Sequence, residues 1–137
     1  MDFRFTEEQE RFRQKVKTFL AKELPSDWLT GGAPEDETDE WWKFTQRFLR
    51  RIGEERWISA TWPKEYGGAG RSNIEQAIFN ERLSYYRAPG PGVATLISGP
   101  TILLVGSDEA KREWLPRIAN GSIRFWLAYS EPNAGSD

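Results

Sequence analysis

Cysteine and histidine are both absent from the 137 residues, and methionine occurs once. Without cysteine there is no disulfide framework, no thiolate nucleophile and no thiolate metal ligand. Without histidine the usual general base near neutral pH and the commonest metal ligand are missing too. Any chemistry therefore uses carboxylates, hydroxyls, backbone groups or a bound cofactor, and no metal site is expected. Neither sign of charge dominates: 19 Lys and Arg face 21 Asp and Glu, for a net charge of −2. That balance gives no electrostatic footprint for nucleic acid. Long apolar runs are also missing, and none approaches the roughly 20 residues of a membrane-spanning helix. The chain opens on a helix signal, with neither an apolar signal core nor an Arg/Ser-rich presequence, so a cytoplasmic protein is expected.

Aromatic residues are plentiful, with seven Trp, eight Phe and four Tyr. In a chain the size of one ordinary domain they supply a large apolar surface to bury. Their spacing is helical. Thr6 and Gln9 form a capping box, with Phe5 placed to staple onto the first turn, and Phe12, Val16, Phe19, Leu20 and Leu24 recur on one face up to Pro25. A helix over about 6–24 follows. After a loop with an acidic run, Glu35-Asp36-Glu37, Thr38 caps a second helix carrying Trp41, Trp42, Phe44, Phe48, Leu49 and Ile52. Its apolar positions cover more than one face, so it packs on two neighbours. Ser72 and Glu75 form a second capping box and open a third helix over about 73–87, with Ile74, Ala77, Ile78, Leu83 and Tyr85 or Tyr86 on its buried side.

Between the second and third helices, Trp57-Ile58-Ser59-Ala60-Thr61-Trp62-Pro63-Lys64-Glu65-Tyr66-Gly67-Gly68-Ala69-Gly70 is irregular. It is either a packed connector or a loop closing one side of a ligand site. Val93 to Val105 is apolar all round, which predicts a buried central helix, interrupted or kinked at Pro100. Ser107 or Asp108 caps a helix over Glu109–Ala119, unless Pro116 splits it into two short turns, and Asn120-Gly121 stops it. The run Ile123 to Tyr129 then reads as a β-strand, followed by the turn Ser130-Glu131-Pro132-Asn133-Ala134-Gly135-Ser136-Asp137. The expected fold class is all-α: an antiparallel helical bundle over 1–121, ending at 122–137 in the first strand and loop of a truncated β-domain.

Three stretches carry a resemblance. They are Trp62-Pro63-Lys64-Glu65-Tyr66-Gly67-Gly68, then Gly106-Ser107-Asp108-Glu109-Ala110-Lys111 ahead of Trp114-Leu115-Pro116, and finally Tyr129 to Asp137. In this order and spacing the chain resembles the flavin-dependent acyl-CoA dehydrogenase family, over that family's N-terminal helical domain and the start of its middle β-domain. The resemblance implies FAD as cofactor and α,β-dehydrogenation of an acyl-CoA thioester to the 2-enoyl-CoA, as in fatty acid β-oxidation. By position, Leu127, Tyr129 and Ser130 would meet the flavin ring. Ser130 would offer its hydroxyl to the N5/O4 edge, and Gly135 and Ser136 would lie at the pyrophosphate. Ser136, with Val93, Leu96, Ile97 and Thr101, would contact substrate, although those last four are equally suited to a core. Asn133 stands where the family often has glycine, and it tolerates a left-handed backbone. The resemblance places the base, a glutamate, in a later C-terminal domain, so no catalytic residue is expected here and the 137 residues alone should be inactive. It also implies an electron-transfer flavoprotein as acceptor and a homotetramer or homodimer. An acyl-CoA oxidase of the same fold, and a helical interaction module without flavin, are the alternatives.

Overall fold

The computed structural model describes residues 4–31, 33–34, 38–128 and 130–135. Helices form where their ends are chemically marked. Helix α1, Glu7–Glu23, starts with both halves of the Thr6/Gln9 capping box made. Helix α2, Asp39–Glu54, is capped by the Thr38 hydroxyl, and α3, Asn73–Tyr85, by the Ser72/Glu75 box. Each box satisfies N–H groups that a first helical turn otherwise leaves unpaired. Ahead of α1 the Phe5 ring is half-exposed, with the Arg13 guanidinium 5.9 Å from its centroid.

The apolar faces of α1, α2 and α3 meet in one core. Val16, Leu20, Phe48, Ile52 and Phe79 are almost completely buried in it. Trp57, from the connector, sits at its centre, with the Phe12, Phe19 and Phe79 rings 5.6, 5.1 and 5.8 Å away. On α3 the buried side is Ile78, Phe79 and Leu83, whereas Ile74 and Tyr85 face solvent. The predicted inward role of Ile74 is therefore corrected, while of Tyr85 and Tyr86 it is Tyr86 that packs against the core: α1 is the helix that packs most on α3, and one helix covers only a narrow stripe.

A second core forms farther along the chain. Trp62, Ala94, Leu115 and Ile118 are buried together, with Ile102, Leu103, Ile123 and Phe125 packed around them. It joins α4, Gly99–Val105, to α5, Asp108–Ala119, which Ser107 caps. Pro116 does not split α5, which runs unbroken across it. Helix α2 touches both halves of the molecule, as its two-faced pattern predicts. Its Phe44, Phe48 and Ile52 enter the first core, while Gly53 lies against the end of α5 so closely that a Cβ there would overlap the Asn120 backbone.

The connector is a packed one. Trp57, Ile58, Ala60 and Trp62 are all buried, and two tryptophans five residues apart each anchor one core. The interruption at Pro100 is also present, as a π-helical turn over Ala94–Ser98 leading directly into α4. Proline has no N–H to donate one turn back, and the Gly99 N–H reaches the Ala94 carbonyl instead.

Two expectations fail. The run 93–105 is not a central buried helix: Leu96, Ile97, Leu104 and Val105 are exposed. Among the described residues, α5 and the Trp62 ring pack on it, with Ile123 and Phe125 beside them, and leave those four side chains uncovered. The predicted strand Ile123–Tyr129 is not formed over 123–128, and Tyr129 lies outside the described residues. A strand exists through hydrogen bonds to a neighbour, and no other strand is present among the described residues to supply them. No described helix is long and apolar enough to cross a membrane.

Candidate functional site

The π turn and the segment after α5 approach each other. Gly90, Pro91, Gly92, Val93 and Ala94 form one wall of a cleft of about 160 Å³, and Arg124, Phe125 and Trp126 form the other. Leu96 and Ile97 follow on the π turn, 68 % and 43 % exposed. Their outward aim is set from behind. The Trp62 indole lies against the backbone of Gly99, where any Cβ would overlap the ring. Ala94 and Thr95 are buried, so the wider π turn leaves Leu96 and Ile97 facing outward. The Thr101 hydroxyl donates to the Ile97 carbonyl at 2.9 Å, satisfying its polar group within the helix.

Past the cleft, the terminal turn is short and closed. The Glu131 N–H donates to the Ala134 carbonyl at 2.7 Å, and the Ala134 N–H donates back at 3.2 Å. Pro132 and Asn133 occupy the corner, and Asn133 does not need the left-handed backbone, since it is not among the residues with positive φ. Closing the turn brings its two flanks together. A Cβ built on Gly135 would stand 3.9 Å from the Ser130 hydroxyl with otherwise open space around it. A small hydroxyl, a side-chain-free backbone and the half-exposed Leu127 nearby in sequence suit a flat ring edge and an anionic group. That donor set fits a flavin.

Among the predicted site residues, Val93 shares the cleft with 124–126, and Leu96, Ile97 and Thr101 continue along the same helical run. Leu127, Ser130 and Gly135 lie on the segment leading out of it. Tyr129 and Ser136 fall outside the described residues. Sequence reasoning missed Trp126, 81 % exposed at the cleft rim, and Leu104 and Val105 at the end of α4. Trp126 was hidden inside a run that read as a strand. Arg124 was missed as well: its guanidinium lies 4.6 Å from the Trp42 ring centroid, and burial pulls its pKa below the ordinary arginine value.

Comparison with known proteins agrees with this architecture. Residues 6–122 match the family model described as the acyl-CoA dehydrogenase, N-terminal domain. The acyl-CoA dehydrogenase FadE26 of Mycobacterium tuberculosis is 34 % identical over 137 residues, which is all of this chain and 34 % of that protein. Among solved structures, the ChsE4-ChsE5 complex from Mycobacterium tuberculosis aligns with a TM-score of 0.80 at 33 % identity, over 98 % of this chain and 33 % of that one. The Tcur3481-Tcur3483 steroid ACAD aligns with a TM-score of 0.78 at 30 % identity, over 98 % and 34 %. The acyl-CoA dehydrogenase of Bacillus anthracis, solved in complex with FAD, aligns with a TM-score of 0.71 at 26 % identity, over 97 % and 22 %. The chain thus spans about a third of the length of FadE26 and of the chains in the first two structures. A family model covering residues 6–122, over a helical fold shared with these enzymes, makes the chain a member of the acyl-CoA dehydrogenase family, of which it carries the N-terminal domain.

Proposed function

We propose that the chain is the N-terminal part of an FAD-dependent enzyme that dehydrogenates an acyl-CoA thioester between its α and β carbons. The observation that carries this reading is the exposed apolar wall of Leu96 and Ile97 on the π turn, beside the cleft that Val93 shares with Phe125 and Trp126. An exposed apolar wall and a hydroxyl-bearing turn are what an acyl chain and a flavin require of this domain. When bound, FAD supplies the acceptor for the β hydrogen. The protein's own residues position and shield. Ser130 holds the ring edge through its hydroxyl, Leu127 and Tyr129 cover the ring, and Gly135 and Ser136 leave room and N–H groups for the pyrophosphate and the thioester end. Val93, Leu96, Ile97 and Thr101 exclude water from the acyl chain. Residues 122–137 begin the middle domain, and the glutamate that removes the α proton lies on a part of the enzyme outside this chain.

Two finer points belong to the same reading. The acyl group is bulky and ring-bearing: the Gly90-Pro91-Gly92 turn keeps side chains small at the cleft, and one structural neighbour is named a steroid acyl-CoA dehydrogenase. The whole enzyme is oligomeric, a reading that the paired names of two structural neighbours support, and passes its electrons to an electron-transfer flavoprotein. Leu96→Trp in the full-length enzyme tests the wall. The added ring fills acyl space, and kcat/KM for a steroid-side-chain CoA thioester falls about tenfold with flavin content unchanged. Unchanged kcat/KM would remove Leu96 from the pocket.

A further inference from the structure

We propose that the outward face of α2 is a docking surface for an acidic patch on a partner protein. Helix α2 turns Phe44, Phe48, Leu49 and Ile52 inward and leaves Lys43, Arg47, Arg50 and Glu54 outward, at spacings of four, three and four residues. These four share one stripe. Together with Trp42, Gln46 and Arg51 they line a groove of about 570 Å³.

The balance of charge along the groove is what marks this face. Several cations elsewhere are matched with acids: Arg11 with Glu7, Arg13 with Glu10, Lys15 with Glu55, Arg71 with Glu75 and Arg82 with Glu81. On α2, Arg51 takes both Glu23 and Glu54, the only acid of the groove. Among the described residues, Lys43 and Arg50 have no carboxylate partner, Arg47 makes a ring contact with Phe44, and Arg124 one with Trp42. A chain of net charge −2 thus sets four cations, Lys43, Arg47, Arg50 and Arg51, against a single acid along one groove.

The groove also has an aromatic centre. Trp42 is 40 % exposed with Arg124 over its ring, and tryptophan and arginine are among the residues most enriched at interface hot spots. Unmatched positive charge around that centre selects a negative partner and steers its approach. A nucleic-acid site would need a basic excess extending beyond one short helix, and a membrane site would need more than one apolar residue to insert.

Titration of the full-length protein with fluorescein-labelled poly-L-glutamate, at low and at physiological salt, tests this. Lys43→Glu with Arg50→Glu weakens binding about tenfold or more at low salt. The control Lys17→Glu with Arg112→Glu makes the same charge change on exposed positions elsewhere and alters binding less than about twofold, as expected for a local effect. Trp42→Ala weakens binding without changing its salt slope. Equal losses in the two double variants would overturn the proposal. So would tighter binding of duplex DNA or of phosphatidylglycerol vesicles that depends on Lys43 and Arg50, or salt-sensitive self-association through the same residues.

Discussion

Trp57→Ala will destabilise the helical domain by about 3–5 kcal/mol, the range for removing a large aromatic from a packed core. Trp57 is 0 % exposed and is the one connector residue that touches aromatic rings from α1 and α3 at once. Truncation leaves a cavity that Phe12, Phe19 and Phe79 cannot fill from fixed helices. Trp57→Phe should cost much less, on the order of 1 kcal/mol, for a specific reason. The indole Nε1 is buried without a hydrogen-bond partner, so phenylalanine loses volume but also removes an unsatisfied donor. Denaturant midpoints of the three proteins decide it. If alanine and phenylalanine cost the same, ring packing around residue 57 is not what holds α1 and α3 together.

Gly99→Val is the second large effect, and it reaches the proposed acyl wall as well as the fold. A side chain at residue 99 meets the Trp62 indole, which is 6 % exposed and pinned among Ala94, Leu115 and Ile118. The ring has no room to retreat, so the π turn must lift, at a cost of about 3 kcal/mol or more by the measure of overpacked cores. Lifting it displaces Leu96 and Ile97, so the KM for acyl-CoA should rise in the fraction that remains folded. Coupling makes the test specific. Gly99→Ala combined with Trp62→Leu should cost less than the sum of the two single changes, since the smaller residue frees the space the new methyl needs. Strict additivity would mean that glycine is needed at 99 for some reason other than Trp62.

Those two tryptophans show how far the sequence could be read. The helix starts were legible because capping is local: Thr6 with Gln9 and Ser72 with Glu75 carry the whole signal within four residues. The connector was legible as packed because Trp57, Ile58 and Trp62 leave an irregular loop too apolar to face water. Burial of whole faces was not. The run 93–105 declares how much apolar surface it has, but not which neighbour covers it, and here α5 and Trp62 leave four of its side chains uncovered. Ile74 failed for the same reason. The strand over 123–129 was misread because apolar β-rich composition says nothing about whether a pairing partner is present. The π turn has no sequence signature beyond Pro100, and the Trp42–Arg124 pair joins positions 82 residues apart. In the proposed site, a short motif singles out the small residues Ser130 and Gly135, which the turn brings together, whereas Trp126 was absorbed into the strand.

The most direct measurement is an anaerobic titration of the full-length, FAD-loaded protein with a steroid-side-chain acyl-CoA, following the visible absorbance of the flavin. A dehydrogenase built on this domain loses that absorbance as substrate is added and yields one enoyl-CoA per flavin reduced, and Ser130→Ala slows the loss. A protein that holds no flavin, or whose flavin absorbance stays unchanged through the titration with every acyl-CoA length supplied, would contradict the account.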